Sequence, residues 1–145
     1  MGFIGFKNWL NENKFQSDAM GYNIGKYIYH TTPIKNLDKI KYKGLKLRSG
    51  ITISGENFKN RIYFSTSLIA AYDILVNFGS YRDNKAYAIF KLNSNCLING
   101  YKKDPLFVHG IFVNYNIDRK YILEIINADD LFNKFNEEDI ENLYI

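Results

Sequence analysis

The order of hydrophobic and polar positions predicts that helices and strands alternate in the first half of the chain. Apolar residues at helical spacing predict a short amphipathic helix over residues 6–15. A run of β-branched and aromatic residues then predicts a strand over 26–32. From Asn36 the apolar positions return to near-helical spacing, and Gly44 is the expected end of this second helix.

The second half of the chain is predicted to be richer in strands. Residues 49–60 are polar, contain two glycines and predict a loop. Ser67 is placed to cap a helix that Gly79 closes. Residues 93–110 predict mostly loop with a short extended piece around Leu97, and the tail predicts a helix with a final strand at 143–145. The remaining strands are expected over 61–65, 85–92, 110–117 and 121–126.

This order of elements predicts an α+β domain with a split, mixed or antiparallel sheet and two or three flanking helices. A chain of 145 residues is most simply one domain. We therefore expect a single domain over 1–145, with a helical N-terminal extension over 1–25 and a helical C-terminal tail over 127–145.

Charge and cysteine content narrow the possible partners. The formal charge is +4, and small basic clusters lie at 39–48 and at Arg119-Lys120. Such a surface suits a phosphate-bearing ligand, a nucleic acid or an acidic protein, although solvated faces often have the same composition. Cys96 is the single cysteine and there are two histidines, so the sequence predicts neither a disulfide framework nor a metal site.

The sequence contains no apolar run near 20 residues, so we expect no membrane span. The first residues lack a basic leader followed by an apolar segment of signal length. A reducing, cytoplasmic location is therefore expected.

Six residues are candidates for binding or catalysis, and each has a structural alternative. His30 at a strand end could hold a ribose hydroxyl, and the Thr31 backbone could pair with an amide. Tyr63 and Ser65 share one strand face and could contact a flat ring and its substituents. A further tyrosine, Tyr72, could close the other side of that ring.

The sixth candidate is Asp104, whose carboxylate could stabilise a sugar cation. Asp before Pro also favours a turn with no further role. For the other candidates the alternatives are equally ordinary, namely a hydrogen-bonded core histidine and aromatic packing of the tyrosines.

Four short strings together resemble the ADP-ribosyltransferase family, and more closely its small bacterial rifamycin ADP-ribosyltransferases. The likeness covers roughly residues 26–126. The strings are Tyr29-His30-Thr31-Thr32, Asn36-Leu37 with Gly44, Ile62-Tyr63-Phe64-Ser65 and Asp104-Pro105.

The resemblance implies an NAD-dependent mono-ADP-ribosyltransferase with a split sheet of the type found in that family. NAD would be a substrate, and the acceptor would be a protein, a nucleic acid or a small molecule. By this likeness His30 binds the NAD ribose and the Thr31 backbone binds the carboxamide. Tyr63 stacks on nicotinamide, and Asp104 stabilises the oxocarbenium-like ribose or orients the acceptor.

Two positions depart from the family pattern and keep other functions open. Thr31 stands where relatives have Gly, and 112–118 contains no counterpart of their late Glu, for which Glu124 could substitute in another register. One alternative is a weak or inactive transferase-like module that binds a nucleotide or a partner protein. Another is a small interaction protein, such as a viral or mobile-element effector.

Overall fold

Seven strands and three α-helices form the described part of the chain. The computed structural model describes residues 24–51, 57–79, 86–131 and 133–143, so the helix predicted over 6–15 lies outside them. The helices are α1 Leu37–Lys43, α2 Leu68–Ile74 and α3 Glu137–Asn142. The strands are β1 Tyr27–Pro33, β2 Arg48–Ile51, β3 Asn57–Ser65, β4 Tyr87–Asn93, β5 Lys102–Lys103, β6 Gly110–Val113 and β7 Ile122–Asn127.

Six of these strands lie side by side in the order β5-β6-β3-β1-β4-β7, and β2 pairs with β3 outside this path. Every pairing among the described strands is antiparallel. The predicted α+β class is confirmed, and the sheet is antiparallel rather than mixed. Along this order only β5 and β6 are consecutive in the chain, so the other neighbouring strands are joined by longer connections.

Side-chain alternation divides the hydrophobic residues between the two faces of the sheet. β1 and β4 pair in unbroken register from Tyr27 opposite Asn93 to Pro33 opposite Tyr87. Because residues that lie opposite each other point to the same face, Ile28 and Leu92 enter one core. The other face holds Ile89 and Tyr87 against α2.

The helix ends follow from their capping residues. Ser67 accepts a hydrogen bond from the Ala70 amide at 3.2 Å, which confirms the predicted cap of α2. After α2 the chain continues as a π-helical turn to Gly79. A capping box between Asn136 and Asp139 starts α3.

Three sequence-based expectations about the elements are wrong. Within the loop expected over 49–60, residues 49–51 and 57–60 belong instead to β2 and β3, which pair with each other because backbone pairing needs no clear hydrophobic alternation, and 52–56 lie outside the described residues. Residues around Leu97 form a 3-10 turn capped by Asn93, not an extended piece. Leu143 is a turn residue rather than the start of a strand, and 144–145 lie outside the described residues.

Gly44 ends α1 in a left-handed conformation, with φ of +76°, directly against the backbone of Ile117 and Arg119. Gly100 also has a positive φ, +95°, but a Cβ added there meets no atom within 4 Å. Gly44→Ala therefore adds a steric clash to backbone strain, whereas Gly100→Ala adds the strain alone.

We expect Gly100→Ala to lower the free energy of unfolding by about 1–2 kcal/mol, the usual cost of a left-handed L-residue. Gly44→Ala should lower it by clearly more, because backbone atoms cannot move aside as a flexible side chain can. Urea denaturation of both variants measures the difference. Equal losses would show that the approach of Gly44 to Ile117 is loose.

Candidate functional site

The central strands β1 and β3 stop pairing in the region that holds the candidate residues His30, Thr31 and Tyr63. Tyr29 opposite Ser65 is the register pair that joins these two strands, and the pairing does not continue towards Thr31 and Tyr63. On its other edge β1 stays paired with β4 along its whole length. The gap between β1 and β3 beyond the Tyr29–Ser65 pair is called the split below.

The backbone groups of Thr31 and Tyr63 face each other across this split. The Thr66 amide donates to the His109 carbonyl on the β6 side of β3. Backbone groups of successive residues point to opposite edges of a strand, so those of Tyr63 point towards β1. Ser94 donates to Lys26 on the β4 side, so Thr31 turns its backbone towards β3. In a continuous ladder these two residues would pair.

The His30 imidazole bonds to the strand across the split. Its Nδ1 lies 2.8 Å from the carbonyl oxygen of Tyr63. A carbonyl only accepts hydrogen bonds, so Nδ1 carries the hydrogen in this contact. The side chain of one strand thus contacts a carbonyl that a backbone amide would bind in a regular sheet.

The rings of His30 and Tyr63 nevertheless point to opposite faces of the sheet. The edge of His30 packs on Phe64, with ring centroids 5.8 Å apart, and Phe64 belongs to the core that contains Ile28. Tyr63 is the neighbour of Phe64 in the strand, so its side chain lies on the other face. The two rings to which the resemblance gives contacts with one NAD molecule therefore do not face each other across a cleft.

On its own face Tyr63 is held by an aromatic and a cationic side chain. Its ring lies 5.7 Å from that of Phe112, the residue opposite it on β6. Its hydroxyl accepts a hydrogen bond from Arg61 at 3.1 Å, and the Arg61 guanidinium lies 4.1 Å from the centroid of Phe112. These contacts fix the direction of the phenol.

Sequence reasoning did not identify Arg61 as a site residue. The signal was present, because Arg61, Tyr63 and Ser65 occupy alternate positions of one strand and share a face. The partner strand that brings Phe112 beside them could not be known from the sequence. Together Arg61, Tyr63, Phe112 and Asp104 are called the Tyr63 surface below.

Asp104 reaches the Tyr63 surface from the edge of the sheet. Its side chain lies over Gly110, where an added Cβ would come within 2.9 Å of the Asp104 Cβ. Gly110 pairs with Ser65, so the carboxylate lies on the same face as Ser65 and Tyr63. Only glycine at position 110 leaves room for it.

Asp104 is buried in a tight turn, and the residue is 7% exposed. Its Oδ1 accepts the Leu106 amide at 2.8 Å, and its own amide donates to Gly110 at 2.9 Å. Burial raises the pKa of Asp104, while the amides of Leu106 and Phe107 and the charge of Arg61 partly offset that rise. Asp104 therefore both forms the predicted turn and carries a carboxyl group with a raised pKa.

Thr31 and Ser65 complete the polar groups on this side of the split. Thr31 lies opposite Ile89, which places it on the same face as Tyr63 and Ser65. Its Oγ1 is buried and has no hydrogen-bond partner in the described structure. An unpaired buried hydroxyl is costly, and a ligand amide or hydroxyl that bonded to it would remove that cost.

Tyr72 and Glu124 lie apart from the Tyr63 surface. Tyr72 is a core residue of the α2 side, 4% exposed, with its ring 5.7 Å from Phe135. Glu124 is on β7 and its Oε1 lies 3.9 Å from Lys91 Nζ. Three strand spacings, roughly 14 Å, separate β7 from β3, so Glu124 does not supply the carboxylate missing after β6.

Comparison of the chain with protein-family models and with curated proteins found no match. Among the described residues no group of His, Cys, Asp or Glu side chains is arranged to hold a metal ion. None of the helices described is long and apolar enough to cross a membrane. The split and the Tyr63 surface are therefore the features of the described chain that bear on its function.

The raised pKa of Asp104 predicts how stability depends on pH. Because the folded-state pKa exceeds the unfolded value near 3.8, the folded chain binds more protons between the two values. The free energy of unfolding should therefore fall as pH rises through that interval. Asp104→Asn keeps the acceptor for Leu106 and should remove this step.

Urea denaturation across the acid range compares the two proteins, and NMR titration of the carboxyl carbon gives the pKa of Asp104 directly. Arg61→Gln should raise that pKa further, whereas Lys134→Gln, an exposed cation near α3, should leave it unchanged. A pKa at or below 3.8 in the wild-type protein would contradict the buried placement.

Proposed function

We propose that this chain is an NAD-dependent mono-ADP-ribosyltransferase whose nicotinamide site is the split between β1 and β3. The observation that carries the proposal is the end of backbone pairing after Tyr29 and Ser65, where Thr31 and Tyr63 face each other. The single cysteine in the sequence, Cys96, is buried and suits a reducing compartment such as the cytoplasm.

The split offers groups that match a carboxamide attached to a flat ring. The Thr31 backbone turns towards β3 and is suited to the amide donor and acceptor of nicotinamide. The buried Oγ1 of Thr31 and the hydroxyl of Ser65 lie on the side of the sheet where the phenol of Tyr63 is fixed. Stacking on Tyr63 would orient the pyridine ring.

The proposed site includes His30 as a positioning residue. Its imidazole bonds the Tyr63 carbonyl from the opposite face, so it sets the distance between the strands without facing the phenol. In this assignment Tyr72 packs in the core and does not contact NAD. The role of His30 differs from the one that the family resemblance implies, and the role of Tyr72 differs from the one expected from its place in the sequence.

The reaction needs charge stabilisation more than covalent help from the protein. The bond between ribose C1′ and the pyridinium nitrogen breaks, its electron pair leaves with neutral nicotinamide, and C1′ becomes cation-like. An acceptor nucleophile then bonds to C1′ and releases its proton to solvent. A carboxylate such as Asp104, held by amides beside the Tyr63 surface, stabilises the developing positive charge.

Nucleotide binding without turnover is a second candidate function, and two observations favour it. The imidazole and the phenol are on opposite faces, and Glu124 is distant from Tyr63. A chain with this arrangement binds NAD in the split but does not accelerate loss of nicotinamide. In this second function no group is transferred to an acceptor, and the bound nucleotide or a partner protein is the ligand.

Nicotinamide release from NAD distinguishes the two functions. We expect the wild-type protein to release nicotinamide above the rate without protein, and Asp104→Asn to lower that rate by roughly 100- to 1000-fold, the usual effect of losing one preorganised group. Tyr63→Ala should raise the NAD dissociation constant, and Tyr63→Phe should have a smaller effect because the ring remains.

Tyr42→Ala is the matched control, since Tyr42 is an exposed tyrosine on α1 with no contact to the split. Calorimetry with NAD accompanies each rate. Tight binding without release supports the second candidate function. If wild type and Asp104→Asn released nicotinamide only at the rate measured without protein, and neither bound NAD, both candidate functions would be contradicted.

A further inference from the structure

Two basic clusters that are far apart in the sequence meet at one cavity, between the end of α1 and residues 116–119. Lys43 and Lys46 come from the first cluster, and Arg119 comes from the second. The cavity has a volume of about 350 Å³ and opens to solvent. None of the residues of the split or of the Tyr63 surface lines it.

Backbone pairing fixes the two walls of this cavity against each other. Leu45 and Ile117 exchange two backbone hydrogen bonds, each of 2.9 Å. Beside them the Leu47 amide donates to Asn116 Oδ1 at 2.8 Å. The Gly44 backbone also lies close to that of Ile117, so the basic side chains extend from a rigid frame.

The charge of the cavity wall is positive. Three cationic side chains line it, and the one acidic lining residue, Asp118, has an oxygen bonded to the Lys120 amide at 2.8 Å. Lys39 and Lys41 of α1 and Lys120 beside Arg119 are further exposed lysines close in sequence to the lining residues. A ligand with several regularly spaced negative charges fits such a surface better than a single anion does.

An exposed aromatic ring accompanies these cations. Tyr42 is 69% exposed and lines the same cavity. Tyrosine normally buries most of its ring, and a solvated ring next to Lys43 offers a flat stacking surface. Basic grooves with an aromatic platform are the features with which proteins bind single-stranded nucleic acids.

We propose that this cavity binds single-stranded nucleic acid. The phosphodiester groups contact Lys43, Lys46 and Arg119, and one base stacks on Tyr42. Every base has a flat face, so the site selects for a single strand and not for a particular sequence. The proposal does not depend on NAD binding in the split.

Fluorescence anisotropy with a labelled mixed-sequence 12-nucleotide RNA, and with DNA of the same sequence, tests this site. We expect Arg119→Gln and Lys46→Gln each to weaken binding about tenfold and to reduce the salt dependence by about one phosphate contact. Tyr42→Ala should weaken binding at least about fivefold with the salt dependence unchanged, because stacking involves no counterion release.

Lys134→Gln is the matched control, because it removes one exposed positive charge away from the cavity. A loss of affinity as large as that of Arg119→Gln would mean attraction to net charge and would overturn the proposal. So would a duplex of the same sequence binding as tightly as the single strand. Equal competition by a 12-residue polyglutamate, or no oligonucleotide binding at low salt, would do the same.

Discussion

The hydrogen bond between the His30 imidazole and the Tyr63 carbonyl is the interaction on which the proposed site depends. It occurs where the ladder between β1 and β3 has ended, and it links the strands through a side chain where a backbone amide would otherwise bind. A continuous ladder would bury the Thr31 backbone between the strands. Because the pairing ends there, these backbone groups can serve a ligand instead.

The position of this split follows from the rest of the sheet. β1 is held along its full length by β4, and β3 is held by β6 through four consecutive pairs. Each central strand is therefore anchored on its outer edge, and the two can separate from each other without losing their own support. The larger hydrophobic core continues across both halves, because it contains Ile28 of β1 and Leu92 of β4 together with Phe64 of β3 and Ile111 of β6.

The sequence predicted much of the local structure, but little of which residues from different strands lie side by side. Ser67 and Gly44 could be identified as helix boundaries because capping depends on residues close in the chain. The same-face relation of Tyr63 and Ser65 was also correct, since alternation is a local property of a strand. The sheet faces on which His30 and Tyr63 lie could not be predicted, because they depend on the register between strands whose residues are 33 positions apart.

Long-range pairing also explains what the sequence could not locate. Arg61 joins the Tyr63 surface through Phe112 of β6, and Arg119 joins Lys46 through the bridge of Leu45 with Ile117. Alternation places Arg61 on the face of Tyr63, but neither its contact with Phe112 nor the meeting of Arg119 with Lys46 leaves a signal in the spacing of residues along the chain. For Asp104, the turn could be predicted from Pro105, which follows it in the chain. Its burial against Gly110 could not, because that contact depends on which strands form the edge of the sheet.

An NMR titration of the labelled protein with NAD tests the central claim most directly. If nicotinamide occupies the split, the Thr31 amide and the ring signals of Tyr63 shift together and saturate at the same NAD concentration. The His30 ring signals should then respond through the Tyr63 carbonyl. Saturable shifts confined to Tyr42 and Arg119, or no shifts at all, would contradict a nicotinamide site between β1 and β3.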